Sequence, residues 1–247
     1  MTSSEQSDNS GLGLWGNCCT IRCMIHGYAT LLLTLAALGG ALFCLWEEYK
    51  TGEPVRPYWQ PVIVALILVI ALVAPTPVSA FYKAAVMLGL ILSLLGSAAR
   101  LLPGMPLAVN KAHLLLAALL YLTAFAELHP FKLPTPWLLL LLLYAGGMAW
   151  LLVNKVAELQ ITLLIYGGIL LLMSWQALEA FVVVGQLWTG LLLRGALCLV
   201  IADSVQALDR FYRALPAARL LTPAVFLLGQ LLLALSIWGP GLHNALG

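Results

Sequence analysis

Uninterrupted apolar runs of about 17 to 25 residues recur along this chain between Tyr28 and Trp238. Each run is long enough to cross the ~30 Å hydrocarbon core of a bilayer as an α-helix. Hydrophobic residues make up 62% of the chain and charged residues only 9%, whereas a soluble domain needs more charge to cover its surface. The sequence therefore predicts an all-α, polytopic membrane protein with a single membrane domain.

Proline, glycine and charged residues interrupt the apolar runs and divide them into about eight transmembrane helices. The predicted spans are residues 28–46, 60–76, 80–102, 111–127, 135–153, 158–180, 187–208 and 220–238. The weakest division separates the sixth span from the seventh, where it rests on Gly185. Around the membrane domain at residues 28–240, we expect a disordered, juxtamembrane segment at 1–27 and a short tail at 241–247.

Lysine and arginine in the short loops determine how such a protein is oriented. One side carries Lys50, Arg56, Arg100, Lys111, Lys155, Arg210, Arg213 and Arg219, and the other carries Arg22, Lys83, Lys132 and Arg194. The excess predicts that the first set is cytoplasmic and that both termini lie outside. The net charge of +2 gives no reason to expect a nucleic-acid partner.

Glycines recur in matching positions of the third and seventh spans. Gly89 stands eight residues before Ser97, and Gly195 stands eight residues before Asp203. A tandem repeat of two four-helix halves would produce this match and would hold a site at the interface of the halves. Chance matching of glycine and apolar residues would produce it as well. The pairs Gly39-Gly40 and Gly146-Gly147 contain small residues of the kind that allow close helix packing.

A carboxylate stands in the middle of the seventh span, at Asp203. An ionised acid at membrane depth is costly unless it faces a polar cavity or a partner, so it marks a candidate functional site. Residues three and four positions apart share a helix face, which brings Gln206 and Arg210 onto the face of Asp203. The corresponding stripe of the third span consists of Ser93, Ser97 and Arg100.

Two interpretations of these polar stripes are open. In the first, they line a lipid-accessible cavity near the cytoplasmic leaflet, where Asp203 does acid chemistry and arginine holds a phosphate headgroup. In the second, Arg100 and Asp203 form a buried ion pair that orders the bundle. A cationic partner favours an ionised carboxylate, whereas burial alone favours the protonated acid.

Other chemistry-bearing residues give weaker signals. Cys18, Cys19 and Cys23 precede the first span, and zinc binding, acylation and plain packing are all open for them, although adjacent cysteines fit a zinc site poorly. His113 opens the fourth span and is a candidate for a site or for the membrane interface. No serine-hydrolase elbow and no zincin motif is present, and we predict no cofactor and no metal.

Several stretches, in chain order, resemble the YhhN-type lysoplasmalogenase family. They are Gly96 with Pro103-Gly104-Met105, Tyr121 with Ala124-Phe125, Tyr166-Gly167 with Met173 and Trp175, Gly195-Ala196-Leu197, Ala202-Asp203-Ser204, Ala207 to Phe211, and Gln230. The resemblance covers most of residues 60–238. It implies an eight-span membrane protein that hydrolyses the vinyl ether of a lysoplasmalogen to a fatty aldehyde and a glycerophospho-alcohol.

The implied reaction suits a membrane acid but this chain departs from the family pattern. Vinyl ether cleavage begins with protonation of the alkenyl carbon, and water then captures the oxocarbenium ion. The family usually has Gly-Asp in the third span, where this chain has Gly96-Ser97, and serine cannot be the second carboxylate. The histidine of the family's fourth span falls on Ala118 when registered by Tyr121, or on His113 if the loop is one residue longer.

Two functional hypotheses follow, both with a lysophospholipid or lysoplasmalogen and membrane lipid as partners. In the first, a hydrolase uses Asp203 as acid and base, with Ser97 and His113 as further catalytic candidates. The substrate contacts would then come from Arg100, Gln206, Arg210, Gln230, Tyr121 and Tyr166. In the second, the chain binds or transports lysolipid without catalysis because one carboxylate is missing.

Overall fold

The computed structural model describes residues 28 to 239 except for 29, 44, 48, 51–58, 75–78, 100, 102–106, 130–135, 154–159 and 216. Side chains at 107–111, 152–153 and 160–163 are likewise not described. The predictions made for residues 1–27, for the tail at 241–247 and for Arg100 lie outside the described residues. The predicted ion pair between Arg100 and Asp203 therefore also lies outside the described residues.

Every regular element in these described ranges is an α-helix, and there are eight of them. They are α1 (Thr30–Glu47), α2 (Trp59–Val73), α3 (Ala80–Ala99), α4 (Leu107–Leu128), α5 (Pro136–Val153), α6 (Gln160–Val184), α7 (Leu187–Phe211) and α8 (Ala218–Ser236). The predicted all-α fold class is confirmed. Each predicted span corresponds to one helix, and no predicted end differs from the observed one by more than four residues.

Five of the described helices, α1, α3, α6, α7 and α8, are long and apolar enough to cross a membrane. The apolar stretches of the other three are shorter, at Trp59–Val73, Ala112–Leu128 and Pro136–Leu151. The outer surface is apolar as well, since Leu139, Leu140 and Leu143 on α5 are exposed over 67%, 69% and 72% of their area. Such faces suit hydrocarbon rather than water, and the structure supports a multi-pass membrane protein.

The division between α6 and α7 occurs at Gly185, as predicted. Gly185 has a φ of 64°, in the left-handed region that glycine adopts without steric cost. Its amide donates to the carbonyl of Phe181 (2.9 Å), so it caps the last turn of α6. A single glycine therefore turns an almost continuous apolar run into two antiparallel helices.

The helices pack in a pattern that recurs in the two halves of the chain. The most extensive interfaces are α7 with α8 and α3 with α4. Further contacts join α2 to α3 and α6 to α7, and the halves meet where α4 contacts α6 and where α8 contacts α2. Tyr82 stands seven residues before Gly89, and Trp188 stands seven residues before Gly195. The two rings meet edge to face, with their centroids 6.5 Å apart.

Three glycines permit the two largest interfaces. A Cβ on Gly195 would lie 3.1 Å from the carbonyl oxygen of Gly229, and a Cβ on Gly229 would lie 3.0 Å from that of Gly195. A Cβ on Gly89 would lie 2.3 Å from ring carbon Cε1 of Tyr121. In contrast, no described atom of another element lies within 4 Å of the Cβ position at Gly39, Gly40, Gly146 or Gly147. The two glycine pairs expected to allow close packing therefore have open space around them.

The start of α3 gives a first testable prediction. Ser79 Oγ accepts the amide of Tyr82 (3.0 Å), which is the N-cap hydrogen bond, and its hydroxyl donates to Glu127 Oε1 on α4 (2.8 Å). We expect Ser79→Ala to lower the free energy of unfolding by about 1 kcal/mol because both hydrogen bonds are lost. Thermal unfolding in detergent measures this.

Thr123→Ala is the matched control for that substitution. The Thr123 hydroxyl donates only to the carbonyl of Leu120 within its own helix (2.8 Å), so its loss should leave the melting temperature nearly unchanged. Equal melting temperatures for Ser79→Ala and Thr123→Ala would contradict the capping role.

Candidate functional site

One cavity opens among five of the helices in the interior of the bundle. Its empty volume is about 230 Å³, including the open mouth, and its closed part has room for about one water molecule. Most of its wall is apolar, formed by Leu114, Ala117, Ala118, Leu170, Leu199 and Phe226. Five polar side chains complete the lining, one from each helix: Ser93 (α3), Tyr121 (α4), Tyr166 (α6), Asp203 (α7) and Gln230 (α8).

The carboxylate of the cavity is held by a tyrosine. The hydroxyl of Tyr166 donates to Oδ2 of Asp203 at 2.5 Å, and Tyr166 is itself buried. A hydroxyl can donate to a carboxylate and can also accept from a carboxylic acid. Tyr166 is therefore a partner for Asp203 in both of the protonation states that acid chemistry requires.

The second polar group is a buried network centred on Gln230. The Tyr121 hydroxyl donates to Gln230 Oε1 (2.7 Å), and Gln230 Nε2 donates to Ser93 Oγ (3.2 Å). All three side chains are at most 1% exposed. Because one amide oxygen accepts and the amide nitrogen donates, the orientation of the Gln230 side chain is fixed from both sides. The network joins α3, α4 and α8 across the cavity.

The close helix crossings bring these side chains together. Gly89 lies one helical turn before Ser93 and lets the ring of Tyr121 pack directly on the backbone of α3. The crossing of α7 and α8 at Gly195 and Gly229 places the next residue of α8, Gln230, against the interior. The glycine positions thus determine which polar side chains meet in the cavity.

The family model of the YhhN family matches residues 55–237, which is 183 of the 247 residues of the chain. The chain belongs to the YhhN family. The match covers α2 to α8 and all of the helices that line the cavity. No curated protein matches the chain, and no solved structure does.

The cavity of this YhhN protein contains four of the residues predicted from the sequence: Asp203, Gln230, Tyr121 and Tyr166. Ser97 does not line it. The Ser97 side chain is 2% exposed, and its hydroxyl donates to the carbonyl of Leu94 in its own helix (2.8 Å).

Three other described residues of the predicted site, His113, Gln206 and Arg210, lie outside the cavity wall. His113 and Gln206 are half-buried and are not among the lining residues. Arg210 is exposed in the last turn of α7, with its guanidinium carbon 5.9 Å from the ring centroid of Phe211. Arg210 is on the face of Asp203, seven residues or about 10 Å of helix rise beyond it. The roles predicted for Ser97, His113, Gln206 and Arg210 stay predictions.

Two features of the site were not predicted. Ser93 had been noted as part of the polar stripe of the third span, and the structure puts it, rather than Ser97, in the cavity wall. Tyr144 Oη on α5 lies 2.5 Å from Ser204 Oγ, which donates to the carbonyl of Val200 (2.7 Å). Tyr144 therefore donates to Ser204 and attaches α5 to α7 beside Asp203. In the sequence, the one indication of the Tyr144–Ser204 contact is that Ser204 is a polar residue next to Asp203 in an apolar run.

Across the described residues, no group of three or more His, Cys, Asp or Glu side chains is arranged to hold a metal ion.

Proposed function

We propose that this protein is a membrane-embedded hydrolase of the lysoplasmalogenase type, with Asp203 as its acid and base. The observation that carries the proposal is that Asp203, held by Tyr166, shares a largely apolar cavity with the Gln230 network. Membership of the YhhN family supports a lysoplasmalogenase-like function at the level of the family. The substrate class is a lysoplasmalogen, whose vinyl ether Asp203 would meet at membrane depth.

One carboxylate is sufficient for this reaction. Asp203 as an acid transfers its proton to the alkenyl carbon farther from the ether oxygen, and the π electrons leave an oxocarbenium ion. Water then forms a bond to the carbon beside the oxygen and loses a proton to the Asp203 carboxylate, which restores the acid. The hemiacetal collapses as its hydroxyl proton moves to the glycerol oxygen and the C–O bond breaks, giving aldehyde and alcohol.

The surroundings of Asp203 suit this sequence of steps. The wall around Asp203 is mostly apolar, which favours contact with an alkenyl chain over contact with bulk water, so the reactive cation would meet few other nucleophiles. Tyr166 keeps Asp203 in one position while the carboxyl group loses and regains its proton. Arg210, about 10 Å farther along α7 on the side predicted to be cytoplasmic, would hold a phosphate headgroup.

The proposal includes eight membrane crossings in one domain, arranged as two four-helix halves. The recurring contacts support the repeat, because α2–α3, α3–α4 and α8–α2 correspond to α6–α7, α7–α8 and α4–α6 when four helices are added. Under this relation Ser97 corresponds to Asp203. The repeat would then provide two equivalent positions for a carboxylate, and this chain has a carboxylate at only one of them.

A second candidate function is lysolipid binding without catalysis. The observation that favours it is that Asp203 is the one carboxylate among the described residues lining the cavity. Incubating the purified protein with an ethanolamine lysoplasmalogen and following aldehyde release distinguishes the two. Turnover supports the hydrolase, whereas retained lysolipid in native mass spectrometry with no aldehyde supports the binding protein.

Ser97→Asp tests whether the missing carboxylate matters. Because Ser97 is buried outside the cavity wall, we expect Ser97→Asp to leave aldehyde release no faster than in the wild type and to lower the melting temperature. Ser97→Asn, which has nearly the same shape without the charge, is the control. Aldehyde release that appears only in Ser97→Asp would identify the chain as a hydrolase that lost its second acid.

A further inference from the structure

The proposed reaction consumes one water molecule for each vinyl ether, and Asp203 is a half-buried side chain in a cavity whose wall is mostly apolar. Water is scarce in such surroundings, so the protein must hold the molecule that attacks the oxocarbenium ion. Apart from Asp203 and Tyr166, the polar groups described in the cavity wall are those of the Gln230 network. This network lies on α3, α4 and α8, whereas Asp203 and Tyr166 lie on α7 and α6.

The helix geometry directs Asp203 and Gln230 toward each other. The antiparallel α7 and α8 cross at Gly195 and Gly229. Asp203 is eight residues beyond Gly195, and Gln230 is one residue beyond Gly229 in the opposite direction, so their Cα atoms are separated by about 13 Å of helix rise. Side chains on a helix tilt toward its N-terminus. For both residues this direction leads toward the other, and both line the cavity whose closed part has room for about one water molecule.

The hydrogen bonds of Gln230 prepare its amide to donate into this cavity. Oε1 accepts from Tyr121 and Nε2 donates to Ser93 Oγ, which accounts for one of the two amide hydrogens. A water that accepts the other hydrogen keeps a lone pair for attack and can donate to the Asp203 carboxylate. The proton that the water loses on attack then goes directly to Asp203.

We infer that Gln230, oriented by Tyr121 and Ser93, is the positioning residue for the hydrolytic water and holds it between α8 and Asp203. This assignment rests on the proposed function and deepens it. It gives the role of orienting water to Gln230 and Ser93, which form part of the cavity wall, and not to Ser97 or Gln206, which lie outside it.

Competition between water and methanol tests the assignment. Capture by water gives a fatty aldehyde and a glycerophospho-alcohol, whereas capture by methanol gives a mixed acetal that retains both parts and is separated by mass. We expect Gln230→Met, which keeps the length of the side chain without its amide, to slow aldehyde release about tenfold or more. The ratio of acetal to aldehyde should rise several-fold, with KM for the lysoplasmalogen nearly unchanged.

Ser93→Ala is the second variant, and Ser236→Ala is the matched control. Ser93→Ala should raise the acetal ratio in the same direction by a smaller factor, and it keeps the test decisive if Gln230→Met folds poorly. The Ser236 hydroxyl lies on the same helix as Gln230 and bonds Tyr82 (2.6 Å) outside the cavity wall, so its loss should not change the ratio.

The outcomes separate this inference from the function on which it rests. A wild-type protein that releases aldehyde, together with unchanged acetal ratios in Gln230→Met and Ser93→Ala, removes the water site and leaves the hydrolase intact. If the wild-type protein releases no aldehyde, both the water-positioning role of Gln230 and the hydrolase function are contradicted. A ratio that rises equally in Ser236→Ala shows a general loosening of the bundle and overturns the assignment.

Discussion

Asp203→Asn is expected to reduce aldehyde release from lysoplasmalogen by about 10²-fold to 10⁴-fold, the range that a positioned general acid contributes. Asparagine fills almost the same volume and still accepts a hydrogen bond from Tyr166. It cannot transfer a proton to the alkenyl carbon. The change therefore removes the chemistry while it preserves the shape of the cavity.

Asp209→Asn is the control for this prediction. Asp209 is on the same helix, is exposed, and accepts the amide of Leu215 through Oδ1 (2.8 Å), a contact that asparagine can keep. Its rate should stay within about a factor of two of the wild type, because surface substitutions of this kind have small effects. Equal activity in Asp203→Asn and the wild type would contradict the proposal that Asp203 is the acid and base.

Stability separates the acid from a structural ion pair. If Asp203 is a functional acid in an apolar cavity, Asp203→Asn should keep or raise the melting temperature, because a costly carboxylate is removed. If it instead forms an ion pair with Arg100 that orders the bundle, Asp203→Asn should lower the melting temperature strongly, and adding Arg100→Met should restore part of the loss. The two interpretations thus predict opposite signs for one substitution.

Tyr166→Phe should have an intermediate effect on the rate. It removes the hydroxyl that holds Asp203 Oδ2 but leaves the acid in place, so a loss of about tenfold is expected from poorer positioning. Because Tyr166 contacts Asp203, the two substitutions should be strongly non-additive when combined. Additive losses would mean that Tyr166 contributes through the substrate rather than through Asp203.

The helices could be predicted from the sequence because their signals are local. Apolar length, prolines and Gly185 act within a few residues of the position that they control, and the observed ends agree with the predicted ones within four residues. The fold class needs no knowledge of which helix packs on which. For the same reason, Asp203 could be selected as a site residue simply because a charge stands within an apolar run.

The pairing of side chains could not be predicted, because it depends on where helices cross. Ser93 and Ser97 share one face of α3, one turn apart, and sequence alone does not choose between them. The crossing of α3 and α4 at Gly89 makes the choice, since it brings Tyr121 and then Gln230 to the level of Ser93. Gly146 looks equally suited to packing in the sequence, but no described neighbour comes near it.

Gly89→Ala is accordingly expected to be among the most damaging small substitutions in the chain. The added Cβ would lie 2.3 Å from Cε1 of Tyr121 and 2.8 Å from Cδ1 and Cζ, and a rigid ring cannot move aside as a flexible chain end can. Overpacking of this kind costs about 1–3 kcal/mol of unfolding free energy. If the ring turns instead, the hydroxyl of Tyr121 leaves Gln230 and the cavity loses its polar network.

Gly146→Ala supplies the matched control, because the same Cβ enters open space on α5. It should leave the melting temperature unchanged or raise it, since alanine favours a helix over glycine by about 0.5–1 kcal/mol. In a Tyr121→Leu background the ring is gone, and adding Gly89→Ala should then cost much less than it does in the wild type. If Gly89→Ala lowers the unfolding free energy by the same amount in that background, a contact other than the Tyr121 ring constrains Gly89.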